Sequence, residues 1–289
     1  MFLAAVSYLA LHLRGDANSV PTAVAAVGLW PLLGATILIV TSLLFQATYH
    51  ALLLERFSDS SPGRREVIAA YLQAQVVRYL PGKIWGVVYQ SQKLARRSAP
   101  VYVVLANLWQ MLVSTLLTAG LVAAVGAGVW LSPLWLWAIL PVFAIIEWLH
   151  QHPKAESAMF RVLAKRFPRL GLVPANSPKP LRWRGTALLF AEWSTYLLAF
   201  VVLLVSVAHP LEALTIGFRY AAASMVALIA FVVPAGLAVR EAIFLSVPHP
   251  SGLPLSLLTA TAVLIRISQF AAELLLAVAA GMSAGTRRE

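Results

Sequence analysis

The sequence predicts an all-α polytopic membrane protein, with about six transmembrane helices and two re-entrant helical hairpins in an inverted repeat. Three observations carry that expectation. Hydrophobic types make up 60% of the 289 residues and charged types only 11%, against roughly 25% charged in a soluble domain. Mean hydropathy is +0.81, so too few polar residues remain to build a water-facing surface. Two apolar segments are each broken near the middle by proline and glycine, with charges beside the break.

A bilayer core of about 30 Å needs about 20 apolar residues in a helix. Six stretches answer that description: 1–13, 25–54, 101–125, 130–149, 185–208 and 255–281. The first is short. An incomplete start, a thin helix or a helix packed inside protein would each account for it. No basic region precedes Phe2 to Leu13, so a cleavable signal is not expected. Trp30, Trp130, Trp135, Trp137, Trp148 and Trp183 lie near span ends, as an interfacial aromatic belt would.

The interrupted segments are 67–97, broken at Pro81-Gly82, and 212–248, broken at Pro234-Ala235-Gly236. Proline removes a backbone donor and clashes with the preceding turn, and glycine permits reversal. Broken backbone at membrane depth survives only inside protein or beside a water-filled cavity. Both segments therefore read as re-entrant hairpins.

Basic residues set the orientation. Arg56, Arg64 and Arg65 lie in loop 55–66, and Lys93, Arg96 and Arg97 in 93–97. Loop 150–184 runs basic from Lys154 to Arg184, and Arg287 and Arg288 end the chain. These regions hold 16 of the 22 lysines and arginines. By the positive-inside rule all four are cytoplasmic, which puts both termini inside a bacterial inner membrane. Hairpin 67–97 then enters from the cytoplasm and hairpin 212–248 from outside. The single membrane domain, 1–289, thus divides into inverted repeats over 1–125 and 130–281. Transporters built this way place their sites at broken helices. In loop 150–184, residues 155–169 suit a short basic amphipathic helix on an anionic leaflet, or a loop that only fixes topology.

The net charge of +11 sits in short loops between apolar spans, so nucleic acid is not the expected partner. No cysteine is present, which excludes disulfides, thiolate metal sites and cysteine nucleophiles. The only aspartates, Asp16 and Asp59, lie in loops. The six histidines fall near span ends without metal-ligand spacing. No nucleotide loop or serine elbow appears. Neither a metal, a cofactor nor an enzymatic activity is expected.

Charge inside lipid is costly and is a functional candidate by default. In the first hairpin Arg78 precedes Pro81-Gly82 and Lys83 follows. Helix restarting at Ile84 would place Lys83 near its N-terminus, where free N–H groups and the dipole attract an anion. Snorkelling or helix capping is the alternative. In the second hairpin Arg240 and Glu241 follow Pro234 and Gly236. Adjacent residues on a helix do not face each other, so they are expected to address different partners. Arg240 would hold a phosphate and Glu241 pair with Lys83 or Arg78, or the pair would stitch the hairpins together. Arg219 is a further cation beside this hairpin. In the last span Arg266, Gln269 and Glu273 form one polar stripe, to serve a substrate or to lock helices. Glu192 is a counter-charge or an interface residue.

The segments Arg78-Tyr79-Leu80-Pro81-Gly82-Lys83 and Pro234-Ala235-Gly236-Leu237-Ala238-Val239-Arg240-Glu241-Ala242 resemble the two signature segments of the lysylphosphatidylglycerol synthase transmembrane family. That resemblance implies a flippase-like domain moving an anionic or aminoacylated phospholipid, or a lipid-linked glycan precursor, between leaflets. It implies that Arg78, Lys83, Arg240 and Glu241 line a headgroup path. The full synthases carry a soluble aminoacyl-transferase domain that these 289 residues do not contain, so synthesis of lysyl-lipid is not expected. Members without that domain resemble partners of polysaccharide and glycolipid pathways. The rival expectation is therefore a non-transporting membrane partner, or lipid-presenting subunit, of a glycosyltransferase in envelope biogenesis. Self-association as a homo-oligomer stays open.

Overall fold

The computed structural model describes residues 19–58, 62–80, 84–166, 180–227, 239–246 and 253–285. Among the described residues every regular element is a helix. Helix α1 (Ser19–Val27) precedes α2 (Leu29–Phe57), and Gly28 between them takes a φ of +82°. Glycine adopts that left-handed conformation without steric cost. The apolar run expected from residue 25 is therefore two helices. Helices α3 (Arg64–Val77) and α4 (Trp85–Leu94) flank the first break, and α5 (Pro100–Trp130) follows. A short 3-10 helix (Pro133–Ala138) leads into α6 (Ile139–Gln151), α7 (Pro153–Arg166) and α8 (Trp183–Leu203). Helices α9 (Pro210–Ala227) and α10 (Val239–Ser246) flank the second break, and α11 (Leu255–Gly285) is last. The break residues themselves, and the span expected at 1–13, lie outside the described residues.

Four of these helices, α2, α5, α8 and α11, are long and apolar enough to cross a membrane. The protein is thus an all-α, multi-pass membrane protein. The stretch expected to span at 130–149 is divided instead. Pro133 has no amide hydrogen and opens the 3-10 turn, so the apolar helix from Leu136 to Gln151 is shorter than the other four. Trp30, Ile37, Leu44, Leu198, Leu275 and Val278 are exposed, and an apolar face of that kind requires lipid. Several hydroxyls are satisfied within their own helix: Thr36, Thr41 and Thr48 donate to the carbonyls four residues earlier, at 2.7–2.9 Å. In hydrocarbon, backbone and hydroxyl groups must find such internal partners.

The chain forms two compact units, each assembled from separate stretches. The first takes Met1–Ser42, Arg78–Lys83 and Trp193–Leu275. A ladder of aromatic rings forms its core, from Trp193 through Tyr196, Phe200 and Tyr220 to Phe244, with successive centroids 5.4–5.8 Å apart. Edge-to-face rings at that spacing add to the burial of their area. Gly217 lets α9 approach closely, since a Cβ there would sit 3.1 Å from the Phe200 ring. The Ser206 hydroxyl donates to the carbonyls of Ala26 and Val27.

The second unit takes Leu43–Val77, Ile84–Glu192 and Leu276–Glu289. Here α3 and α4 pack side by side, with Tyr89 Oη donating to Gln73 Oε1 at 2.8 Å and Lys93 donating to the same oxygen. Its interior is more polar than the sequence suggested. His50 is fully buried, with Nδ1 2.7 Å from Gln110 Oε1, and Gln110 Nε2 donates to Tyr71 Oη at 3.1 Å. His150 is buried too, between Tyr49 Oη and Thr186 Oγ1, each 2.9 Å away. Both histidines thus serve as internal hydrogen-bonding nodes, where the sequence reading had only span ends.

Helix α7 is not a free surface helix. Phe160 is buried, edge-on to Phe57 at 5.7 Å and 6.0 Å from Trp109. Arg161 and Lys165 remain exposed. Apolar anchoring on one face and cationic residues on the other is what an amphipathic helix needs.

Close helix packing in this unit yields a first prediction. A Cβ at Gly120 would lie 2.6 Å from Val142 Cγ2, and a β-branched side chain has little freedom to move aside. Gly120→Ala is expected to destabilise the protein by about 1–3 kcal/mol. Thermal unfolding in detergent would read this as a lowered midpoint; an unchanged midpoint would mean that α5 and α6 pack less tightly.

Candidate functional site

Within the first unit, α11 carries the stripe Arg266, Gln269 and Glu273. Helical spacing of three and four residues puts all three on one face. Two of them meet the cations beside the chain breaks. Arg78, in the turn that ends α3, donates from Nη2 to Glu273 Oε1 in an ion pair. Arg240, in the first turn of α10, donates from Nη2 to Gln269 Oε1 at 3.3 Å. One helix face therefore receives an arginine from each interrupted segment.

The two ion pairs differ in environment. The Glu273 side chain is 3% exposed while that of Arg78 is 43% exposed. Arg240 and Glu241 are both largely buried, at 11% and 13%, with Arg240 Nη2 3.1 Å from Glu241 Oε1. An ion is taken out of water only at a cost of several kcal/mol, which good pairing geometry must offset.

Tyr220 organises the second pair. Its hydroxyl donates to Glu241 Oε1 at 3.2 Å, and its ring lies 4.3 Å from the Arg240 guanidinium carbon. A cation over an aromatic face is stabilised by the ring quadrupole, more strongly when desolvated. Glu241 also sits in the first turn of α10, the favourable end of the helix dipole for a carboxylate. Tyr79, next to Arg78, meets Phe270 edge-on at 5.5 Å, and the Arg266 guanidinium lies 5.6 Å from its ring centroid.

Several expectations need correction. Arg240 and Glu241 were expected to address different partners. They contact each other, because the long arginine side chain curls back over Tyr220 while the same tyrosine holds the carboxylate. Arg78 was offered to Glu241 as a partner, and it pairs with Glu273 instead. Glu192, offered as a counter-charge or an interface residue, needs no correction: in the second unit it accepts from Gln46 Nε2 at 2.8 Å, a contact between two helices. Lys83, Pro81, Gly82, Pro234 and Gly236 lie outside the described residues. Helix α4 starts at Trp85, and its cap residue Ile84 offers no side-chain hydrogen bond. Of the two roles offered for the stripe, the contacts are those of helix locking, through Gln269 and Glu273, with Arg266 beside the Tyr79 ring.

Tyr220 and Tyr79 were not singled out from the sequence. Each adjoins an arginine, at Arg219-Tyr220 and Arg78-Tyr79, and an aromatic residue with a polar tip next to a cation in an apolar run was the available signal.

Electrostatically, the cluster joins three arginines (Arg78, Arg240, Arg266) to two glutamates (Glu241, Glu273). A guanidinium fork is chemically suited to hydrogen-bond a phosphate or a carboxylate.

No curated protein and no solved structure matches the chain. The family model for the lysylphosphatidylglycerol synthase TM region matches residues 1–277, a stretch that contains both breaks, the stripe, the long apolar helices α2, α5 and α8, and most of α11. This chain belongs to that lipid-related family of membrane domains, the lysylphosphatidylglycerol synthase transmembrane region.

Proposed function

We propose that this protein moves a phosphate-bearing lipid between the leaflets of a bacterial inner membrane, without catalysing a reaction of its own. Its substrate class is an anionic or aminoacylated phospholipid, or a lipid-linked glycan precursor. The observation that carries the reading is the convergence of Arg78 and Arg240 on one face of α11, through Glu273 and Gln269.

Headgroup crossing is slow because a charged phosphate must enter hydrocarbon. A cluster of arginines within the membrane domain lowers that barrier, and the acyl chains stay in lipid throughout. Arginine suits the task because its fork of donors can pass from a carboxylate to a phosphate without losing charge. Glu241 and Glu273 hold the arginines when no headgroup is present. In this reading the two broken segments act as re-entrant hairpins that open to opposite leaflets, with both termini cytoplasmic.

Headgroup accessibility of labelled lipids in proteoliposomes tests the proposal. A phospholipid and a polyprenyl-phosphate sugar are compared. Movement of either one above the protein-free rate supports transport and identifies the class. Absence of both, with folded protein, overturns it.

One observation favours a second reading, a docking subunit for an envelope glycosyltransferase. Buried Phe160 fixes α7 in place and leaves Arg161 and Lys165 outward. Changing both exposed residues to glutamine separates the two: partner activity falls under the second reading, and lipid movement is unchanged under the first.

A further inference from the structure

An apolar trough lies between α9 and α10 in the first unit. It encloses about 150 Å³ and is lined by Arg219, Ala222, Ala223, Val226, Ile243 and Phe244. The four α9 residues are spaced three, four and seven from Arg219, which puts them on one helix face. Two alanines make the recess, because neighbouring turns carry no bulk there. Val226 is exposed, so the trough opens outward. Among the described residues Arg219 is its one charged lining residue, and stands at one end of the α9 stripe.

We propose that this trough holds part of one acyl chain of a phospholipid, with the lipid phosphate at Arg219. An outward-facing apolar recess in a membrane protein is filled by hydrocarbon, the surrounding solvent. A void of this size with aliphatic and aromatic walls stays dry and accepts an apolar guest. Water would find one polar side chain among the described lining residues, where it needs two to four partners. Arginine at the end of the recess supplies the complement to a phosphodiester, and its aliphatic stem continues the apolar wall. A phospholipid presents both halves in one molecule.

The trough also touches the charged cluster. Phe244 lines it and meets Tyr220 edge-on at 5.4 Å, and the Tyr220 ring carries Arg240. A chain seated in the trough presses on the aromatic pair that holds Arg240 and Glu241. Lipid occupancy is thereby coupled to the geometry of the pair. The inference concerns binding and stands whether or not the protein transports lipid.

The test is photolabelling of the full chain in phosphatidylcholine vesicles containing phosphatidylglycerol with a diazirine on one acyl chain. Labelled residues are mapped by peptide mass spectrometry. Label is expected within 219–227 and 239–246. Ala222→Phe fills the recess and is expected to lower that label about tenfold, the equivalent of roughly two buried methylenes. Arg219→Gln is expected to lower it similarly, and Arg219→Lys to restore most of it. A diacylglycerol probe with the same diazirine chain should label weakly, and free inorganic phosphate should not compete. Elution profile and helix content confirm that each variant is folded.

Equal labelling of wild type and Ala222→Phe overturns the proposal, as does equal labelling by diacylglycerol. Displacement by inorganic phosphate would assign Arg219 to a free anion instead. Crosslinks from α9 to a second copy would assign the trough to self-association. Label that persists in a protein that moves no lipid leaves this inference standing and removes the transport reading. Transport without label does the reverse.

Discussion

Arg240→Gln is expected to reduce lipid movement to the protein-free rate and to lower stability at the same time. The Arg240 side chain is buried and touches Glu241, Gln269 and the Tyr220 ring. Its removal leaves the Glu241 carboxylate buried with the Tyr220 hydroxyl and, among the described residues, no cation in contact. Breaking one partner of a buried pair costs about 3–5 kcal/mol. Loss of movement in the single variant would therefore not distinguish a headgroup role from partial unfolding. The double variant Arg240→Met with Glu241→Gln does. Glutamine keeps an acceptor for Tyr220, and methionine keeps apolar volume over the ring. Replacing a buried ion pair by neutral groups of similar size is often neutral for stability. The double variant is expected to unfold near the wild-type midpoint and still move no lipid. If it moves lipid at the wild-type rate, the charge at this position has no part in transport.

Arg78 and Glu273 give the second large effect, and it is asymmetric. Glu273 is the buried member and Arg78 is 43% exposed. Removing the arginine strands a buried carboxylate, and Arg78→Ala is expected to cost about 3–5 kcal/mol. Removing the carboxylate takes one partner from a cation that already reaches the surface, so Glu273→Gln is expected to cost about 1 kcal/mol. Movement should follow the same order. Arg78→Ala takes away a headgroup cation and abolishes it, while Glu273→Gln leaves the cation and frees it from its resting partner. Thermal unfolding in detergent and the proteoliposome assay read both quantities. Equal destabilisation by the two variants would mean that Arg78 is as buried as its partner. Equal transport in wild type and Arg78→Ala would remove this arginine from the headgroup path.

These expectations depend on pairings that the one-dimensional pattern conveyed only in part. The stripe at 266, 269 and 273 was legible, because three polar residues at helical spacing in an apolar run can share only one face. That it meets Arg78 and Arg240 was not legible. Residues 78 and 273 are far apart in sequence, and nothing local to either one names the other. The rule that neighbours on a helix point apart misled the reading of Arg240 and Glu241. It holds for the directions in which side chains leave the backbone, and Tyr220, about twenty residues earlier, brings the two ends back together. His50 and Glu192 show the same limit. Each was read by its position along a span, and each is placed by its amide partner, Gln110 or Gln46, on another helix. The division of 130–149 was nearer to legible, since Pro133 announced it.

The sequence by itself determined the solvent of this protein, its helical class and the places where helices must stop. Those properties follow from composition, from hydropathy over about twenty residues and from the chemistry of proline and glycine, all of which act locally. The tertiary structure alone decided which charge meets which. A buried ion takes its partner from whatever helix face packs against it, and in hydrocarbon that choice is enforced by the high cost of leaving the charge alone.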